Sequence, residues 1–467
     1  MKAWACVRLI QSGMINDHLP GSEFPFGLMK KPILVFLQVV IGVLIALRLF
    51  LIIPAFEHPE RFNDITDSQG YLDLAQGLLV NGRFHSVMDP TLDILRTPGY
   101  PAFLAVIRGI FGDYRWASAV QLLMSIINCY LIFRIGSYID QKQRVSYAAV
   151  ILYLLSLNAA FDALMIMTET LTSFMLILAL WMLVEYWMTG HLLWLSASGL
   201  VLGLGALVRP SVLPVMLVWF VLFACVEIIH SRKGGALMKA LTPILVFCIS
   251  CYLLVFLWQI RNLFVTGSFT FSHVGTSTLK YWVVGQAIAE IEGISRGEAE
   301  SLINSAPDAA EYILAFIRTN FDRFALIQAR GVIRTVIGVE YRYWAEALTG
   351  VEVASSGIVS GMSLNPSLVV DQIRSGNFWV LMGLFSMAVN VVLYSLIGLS
   401  AVRVYRKRRE NLFVFSLFLI AILTVVYSIL VPFGHGSARF RVPVEPILAL
   451  LAGMAFYGTR VPKKHKT

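Results

Sequence analysis

Charged residues are scarce in this sequence. Asp, Glu, Lys and Arg make up 14% of the 467 residues, whereas 58% are hydrophobic. Soluble domains carry about 25% charged residues, so this composition excludes an ordinary soluble domain. Apolar runs of about 20 residues, the length that crosses ~30 Å of hydrocarbon as a helix, recur from Pro32 almost to the end. Because a spanning helix satisfies its own backbone hydrogen bonds, the sequence predicts an all-α polytopic membrane protein.

Cysteine is also rare, with five residues in the whole chain. Four of them, Cys129, Cys225, Cys248 and Cys251, fall inside predicted spans, without the spacing of a metal site or of a disulfide framework. We interpret them as packing residues. Internal repeats and Gly/Ser-rich linkers are absent too, so no separate soluble domain is expected. Residues 1–31 lack the apolar core and cleavage site of a signal peptide and are interpreted as a cytoplasmic leader, the alternative being a misassigned start.

About ten spans are predicted, and together they form a transmembrane domain over 32–459, followed by a basic cytoplasmic tail at 460–467. The spans are 32–54, 114–133, 145–166, 171–188, 192–207, 211–230, 240–260, 377–402, 411–431 and 444–459. The net charge of +9 sits mostly in short clusters between these spans, such as "RVYRKRRE" at 403–410. That distribution is typical of membrane topology rather than of nucleic-acid binding.

The positive-inside rule assigns every such basic cluster to the cytoplasmic side if both termini are inside. The opposite side then receives a first external loop, 55–113, and a long external segment, 261–376. Within the long segment, 311–344 has helical apolar spacing interrupted by arginines. We therefore expect short amphipathic helices on the extracytoplasmic side, at or near the membrane surface.

Carboxylates recur on this external side. Asp67 lies in the first turn of a predicted helix from Thr66 to Asn81, and Asp162 and Glu169 lie at the outer ends of the third and fourth spans. A carboxylate in hydrocarbon costs about 2.5–3.5 kcal/mol on insertion scales and marks a functional site when it is kept. The alternatives are that Asp67 only helps to start its helix and that Glu169 is a solvated helix end.

Cationic side chains face the same side. Arg96 precedes a second external helix, and Arg209, Arg261 and Arg439 lie at external helix junctions. Each alone suits interfacial anchoring, but a planar guanidinium also suits a phosphate held by two hydrogen bonds. Carboxylates and arginines together favour a site that handles a phosphate beside a hydroxyl that must lose its proton. Further candidate substrate-binding residues are Tyr71, Tyr100, His435 and Arg441.

Several motifs in this order resemble the membrane-embedded glycosyltransferases of the GT-C superfamily. They are "DSQGYLDLAQGLLVNGRF", "LRTPGYPAFLAVI", "TET" at a span end, "GALVRPS", "IRNLFVTGSF" and "ARFRVPVEPILALLAG". The resemblance covers roughly 60 to 455. Its nearest branch includes the protein O-mannosyltransferases, the aminoarabinose transferase of lipid A and the galacturonosyltransferases of rhizobial lipopolysaccharide.

The resemblance implies a multi-pass inner-membrane enzyme of GT-C type that moves a hexose or pentose from a polyprenyl-phosphate donor to an acceptor outside the cytoplasm. The acceptor is a glycan, a lipid or a protein. The family's acidic positions fall on Asp67, the expected general base, and on Glu169. Arg96, with Arg209, Arg261 and Arg439 as further candidates, would hold the donor phosphate.

Two departures from the family pattern bear on a metal. Ser68 follows Asp67 where two branches carry an acidic pair, and Leu95 precedes Arg96 where one branch has an acidic residue. A divalent cation held by Asp67 and Glu169 is therefore left open. Two other functions also stay open: a polysaccharide polymerase or ligase that uses a lipid-linked donor, and a transporter or flippase of lipid-linked sugars. Transporters place polar groups near the middle of the bilayer, whereas most spans here are apolar through their middles.

Overall fold

The computed structural model describes residues 31–63, 66–86, 88, 95–232, 238–350, 374, 376, 378–430 and 436–458. Over these ranges the chain is helical and has no β-strand, so the predicted fold class is confirmed. The helices are α1 Lys31–Phe50, α2 Ile52–Glu57, α3 Thr66–Asn81, α4 Gly99–Phe111, α5 Arg115–Ile139, α6 Arg144–Leu154, α7 Leu157–Asp162, α8 Thr168–Thr189, α9 Leu192–Val208, α10 Val212–Arg232, α11 Met238–Thr266, α12 Val274–Ser277, α13 Gln286–Glu292, α14 Arg296–Ser305, α15 Ala309–Thr319, α16 Phe321–Ile337, α17 Tyr341–Thr349, α18 Phe378–Arg406, α19 Leu412–Leu430 and α20 Glu445–Gly453. A π-helical turn covers Thr278–Gly285, and 3-10 turns cover Pro59–Phe62, Ala438–Val444 and Met454–Phe456.

Seven helical stretches among the described residues are long and apolar enough to cross a membrane. They are Pro32–Glu57, Arg115–Ile139, Thr168–Thr189, Val212–Ile229, Ala240–Thr266, Phe378–Arg406 and Leu412–Leu430. Three predicted spans correspond instead to the shorter apolar helices α6, α9 and α20. The count of ten spans is therefore not confirmed.

The predicted span 145–166 is wrong as a single helix. Helix α6 ends at Leu154, and Ser156 then accepts a hydrogen bond from Ala159 N and caps the new helix α7. Helix α7 has only six residues and ends at Asp162, so a non-helical stretch leads to the start of α8. Polar residues at 156, 158 and 162 thus interrupt a run that looks continuous by hydropathy alone.

The main hydrophobic core is formed by α5, α6, α8 to α11 and α18 to α20. Helix α20 is buried along its whole length. Helix α9 lies very close to α11: a Cβ added at Gly199 would be 2.7 Å from Ser250 Cβ. Cys129 and Cys251 are buried in this core as unpaired thiols, in line with a packing role, whereas Cys225 is exposed on α10.

The external helices follow the sequence pattern closely. Helix α3 begins at Thr66 and ends at Asn81, as predicted, and α4 begins after Pro98. The stretch 311–344 is helical but divides into α15, α16 and the start of α17. The long segment also has a small core of its own, in which the π-turn, α13 and α14 pack against α15.

Candidate active site

Asp67 and Arg96 form the first half of the site. Asp67 lies in the first turn of α3, and its Oδ1 atom is 2.5 Å from Arg96 Nη2. Arg96 also donates to the Tyr71 hydroxyl at 2.9 Å, and its guanidinium lies 4.7 Å from the centre of the Tyr71 ring. The next helix starts at Gly99, where a Cβ would lie 2.6 Å from the backbone of Leu207 and Val208. Only glycine allows α4 to approach the end of α9 so closely.

Glu169 and Arg209 form the second half. Glu169 lies in the first turn of α8, where the helix dipole favours a negative charge, and its side chain is 1% exposed. Arg209 directly follows the last residue of α9; its Nη1 atom lies 2.9 Å from Glu169 Oε1 and donates to Thr168 Oγ1 at 3.0 Å. A buried carboxylate is stable only with such partners.

Arg439 joins the two halves. Its Nη2 atom is 3.3 Å from Asp67 Oδ2, and its Nε atom is 3.0 Å from Glu169 Oε1. Asp67 and Arg439, which are 372 positions apart in sequence, therefore lie on the same side of the helix bundle. We call Asp67, Arg96, Glu169, Arg209 and Arg439 the arginine–carboxylate cluster.

The cluster carries one positive charge in excess, since three guanidinium groups surround two carboxylates. Burial acts to raise the pKa of Asp67, but the charges of Arg96 and Arg439 outweigh it and lower that pKa below its usual value. Conversely, Asp67 and Tyr71 raise the pKa of Arg96 despite its burial. The Asp67 side chain is 35% exposed and that of Arg439 is 25% exposed, so a ligand can reach both.

The 3-10 turn Ala438–Val444 is held from two directions. Glu340 Oε1 accepts hydrogen bonds from Ser437 Oγ at 2.5 Å and from Ala438 N at 3.0 Å. Arg441 donates from Nε to Glu445 Oε1 at 2.7 Å and from Nη1 to the carbonyl of Thr335, and it is 1% exposed. These contacts fix the turn that carries Arg439.

Arg441 and Tyr100, predicted for substrate binding, and Arg261, predicted for the donor phosphate, have partners outside the cluster or at its edge. Arg441 is enclosed with Glu445, so the structure gives it a role in holding the turn. Tyr100 is fully buried; its ring lies 5.0 Å from that of Tyr71, and its hydroxyl donates to Gln121 at 2.8 Å. Arg261 donates to the Phe84 carbonyl at 3.0 Å. His435 lies outside the described residues.

The sequence interpretation missed the residues that hold the stretch before α8. Gln121 Nε2 donates to the carbonyls of Ala163 and Met165. Ser118 Oγ donates to Leu164 O at 2.5 Å, and Ser68 Oγ donates to Ile166 O at 3.0 Å. All three polar side chains are buried. The available signal was the presence of Ser118 and Gln121 in an otherwise apolar predicted span.

A divalent cation does not fit the cluster in this arrangement. Asp67 and Glu169 both contact Arg439, so a guanidinium occupies the position between them that a shared ion would need. In the part of the chain that the structure describes, no group of three or more His, Cys, Asp or Glu side chains is arranged to hold a metal.

Several solved structures are similar to this chain. One is the archaeal oligosaccharyltransferase AglB from Archaeoglobus fulgidus, in complex with an inhibitory peptide and a dolichol-phosphate, with 13% identity and a TM-score of 0.45. The match covers 90% of this chain and 50% of the archaeal one, so the chain spans about half the length of that relative. Another is ArnT from Cupriavidus metallidurans bound to undecaprenyl phosphate, with 13% identity, a TM-score of 0.37, and coverage of 91% and 77%.

Comparison of sequences gives one family. A search among curated proteins finds no match. Residues 95–258, which are 164 of the 467, match the model of a family described as dolichyl-phosphate-mannose-protein mannosyltransferase. This region contains Arg96, Glu169 and Arg209. The predicted resemblance to the protein O-mannosyltransferases is thereby confirmed over residues 95–258, where the chain has the sequence pattern of the dolichyl-phosphate-mannose-protein mannosyltransferase family.

Proposed function

We propose that this chain transfers a sugar from a polyprenyl-phosphate donor to a hydroxyl of an acceptor on the extracytoplasmic side of the inner membrane. The observation that carries the proposal is the position of Arg439 between Asp67 and Glu169. Arg439, a proposed ligand of the phosphate, contacts Asp67, the proposed base, and this contact supports a reaction in which both act on one donor. The family match over 95–258 supports a polyprenyl-phosphate donor, because the family's description names a lipid-phosphate sugar.

The donor phosphate would bind to the arginines. A polyprenyl-phosphate sugar is a phosphodiester with one negative charge, which matches the excess positive charge of the cluster. Arg96 and Arg439 are partly exposed and each holds an oxygen of Asp67. Charge-assisted hydrogen bonds from guanidinium to phosphate are short and strong, so the phosphate competes with Asp67 for both groups. Arg209 is committed to Glu169 and Thr168 and contributes mainly its charge.

Asp67 would then act as the general base. In the absence of donor, Arg96 and Arg439 lower its pKa and make it a weak base. When the phosphate takes over these arginines, the remaining effect on Asp67 is burial, which raises its pKa and strengthens it as a base. A positioned base of this kind contributes about 10²- to 10⁴-fold to a rate.

The chemical step follows from these roles. The acceptor oxygen attacks the anomeric carbon as Asp67 takes the hydroxyl proton, and the bond from that carbon to the phosphate oxygen breaks. The configuration inverts, and the polyprenyl phosphate leaves with a second negative charge. The three arginines stabilise that charge in a site with little water. Glu169 keeps Arg209 and Arg439 in place.

The alternatives differ in what they demand of the site. A transporter needs a polar pathway near the middle of the bilayer. Asp67 and Arg439 lie outside the seven candidate spans, and Glu169 lies in the first turn of one. A polymerase or ligase would use the same arginines with a longer donor, so only the size of the accepted donor separates it from the proposal.

The test uses the purified protein in lipid nanodiscs with radiolabelled short-chain polyprenyl-phosphate sugars and a panel of lipid and peptide acceptors. Transfer from a single-sugar donor, lost in Asp67→Asn, is the expected result. Asp113→Asn is the matched control, since Asp113 pairs with Arg115 at 2.9 Å outside the cluster. Movement of the donor across the bilayer of sealed proteoliposomes, without an acceptor, would identify a transporter. Transfer only from oligosaccharide donors would identify a polymerase or ligase.

A further inference from the structure

Asp162 is a buried carboxyl group to which the proposed mechanism assigns no role. It is the last residue of α7 and is 9% exposed. Among the described residues its Oδ2 atom has no hydrogen-bond partner and no contact with solvent. One turn earlier, both polar atoms of the Asn158 side chain are buried without a partner in the same way. The Oδ2 atom of Asp162 therefore lacks the hydrogen bonds that stabilise a buried ionised carboxylate, and Asn158 does not supply them.

The charged neighbours of Asp162 reinforce this. Burial and the charge of Glu169 raise the pKa of Asp162 well above its usual value, and Glu340 and Glu445 add to the effect. Arg439 acts in the opposite direction, but it already lies between Asp67 and Glu169. Because Arg439 is already paired with Asp67 and Glu169, its charge does not offset the effect of burial on Asp162.

The other groups packed around α7 are neutral or engaged elsewhere. Arg48 donates to the carbonyls of Tyr153 and Ser156, at the start of this segment. Arg441, in the 3-10 turn that packs against α7, is paired with Glu445. On α5, the neutral Gln121 side chain binds the backbone that follows Asp162.

We propose that Asp162 is an uncharged acid that keeps the arginine–carboxylate cluster one positive charge in excess, and that its ionisation weakens the binding of the donor phosphate. Three guanidinium groups and two carboxylates give +1, and an ionised Asp162 would reduce this to zero. Asp162 is thus a positioning residue that acts through the charge of Arg439 and Glu169. The second half of the inference rests on the proposed function, whereas the protonation of Asp162 does not.

The protonation is tested by infrared difference spectroscopy at neutral pH on the full-length protein in nanodiscs, wild type minus Asp162→Asn. The expected result is the carbonyl-stretch band of a protonated carboxyl group. Asp113→Asn is the control, because Arg115 lowers the pKa of Asp113, and its difference spectrum should show only carboxylate bands. Loss of a carboxylate band in Asp162→Asn would overturn the inference. Asp162→Leu, neutral and of similar size, replaces Asp162→Asn if that variant does not fold.

The effect on binding is tested with a short-chain polyprenyl-phosphate mannose, whose phosphodiester keeps a single charge at all pH values used. As the pH rises until the protonated band disappears, the wild-type Kd should increase on the order of tenfold. That is the effect which one unit charge exerts on another over ~10 Å at an effective dielectric constant of ~20. The Kd of Asp162→Asn should stay constant over the same range. Equal pH dependence in both proteins would overturn the coupling. A protonated band without binding of this probe at any pH would instead contradict the proposed function.

Discussion

Arg439 and Arg441 stand two positions apart in one 3-10 turn, yet their surroundings differ completely. Arg439 is 25% exposed and shares its guanidinium between Asp67 and Glu169. Arg441 is 1% exposed and is enclosed by Glu445 and by backbone carbonyls of α16. The first environment leaves the guanidinium partly accessible to a ligand such as the proposed phosphate, whereas the second encloses the guanidinium on all sides that contact Glu445 and the backbone.

This difference shows that the role of an ion pair, in stability or in ligand binding, depends on its access to solvent as much as on its partners. A closed pair has lost its hydration, so removing one partner leaves a buried charge without compensation. Such a pair therefore contributes to the stability of the fold. An open pair keeps part of its hydration and gives up little when a ligand replaces one partner. Substitutions in the two environments should therefore change different measured quantities.

The largest effect is expected on the open side, from Asp67→Asn. Removing the proposed base should lower kcat by about 10²- to 10⁴-fold with an unchanged melting temperature, because Asn keeps the shape of the side chain. Initial rates of transfer and thermal unfolding in nanodiscs check both quantities. Near-normal transfer by Asp67→Asn would remove Asp67 from the mechanism.

On the closed side, Arg441→Met should unfold the protein more easily. Glu445 would then be buried without its partner, at a cost of about 3–5 kcal/mol. The double variant Arg441→Met, Glu445→Leu removes both charges and should regain most of the lost stability, which thermal unfolding measures. If the single variant were as stable as the wild type and only raised KM for the donor, Arg441 would be a ligand-binding residue and the comparison would fail.

A smaller effect is expected from Arg439→Met. Loss of a charge-assisted contact costs about 1.5–3 kcal/mol, so KM for the donor should rise roughly 10- to 100-fold. Arg439→Lys keeps the charge but loses the planar guanidinium that can donate two parallel hydrogen bonds. Its KM for the donor should therefore lie between that of the wild type and that of Arg439→Met. A melting temperature lowered as much as in Arg441→Met would show that Arg439 is structural as well.

The sequence predicted the cluster better than it predicted the helices around it. Asp67, Arg96, Glu169, Arg209 and Arg439 were found because charged residues in an apolar chain are costly and collect on one side of the membrane. Whether a given guanidinium is open or closed depends on neighbours from distant helices. For that reason the sequence did not distinguish Arg441 and Tyr100, which are enclosed, from the more open residues close to them in the chain, and both were predicted to bind substrate.

The helix boundaries show the same limit. The stretch 145–166 is apolar enough for a span, and only the capping by Ser156 and the burial of Asn158 and Asp162 against the 3-10 turn divide it. Hydropathy averages over a window and does not register such local hydrogen bonds. In α3, by contrast, apolar spacing and the Asn81–Gly82 end signal act within the helix itself, and its boundaries were predicted correctly.

The smallest effect on the rate at neutral pH is expected from Arg96→Gln, because Arg439 still binds the phosphate and Arg209 still contributes its charge. Its signature is in the pH profile of kcat/KM. Asp67 must be ionised to accept a proton, and Arg96 is the first of the two arginines that lower its pKa against the effect of burial. Without Arg96 that pKa rises, so the acidic limb of the profile should move to higher pH, while the plateau above it stays within about tenfold of the wild type.

Arg209→Gln, which removes a partner of Glu169 rather than of Asp67, should leave the position of the limb unchanged. Equal displacement by both variants would mean that the cluster titrates as one unit, and that no single arginine sets the basicity of Asp67.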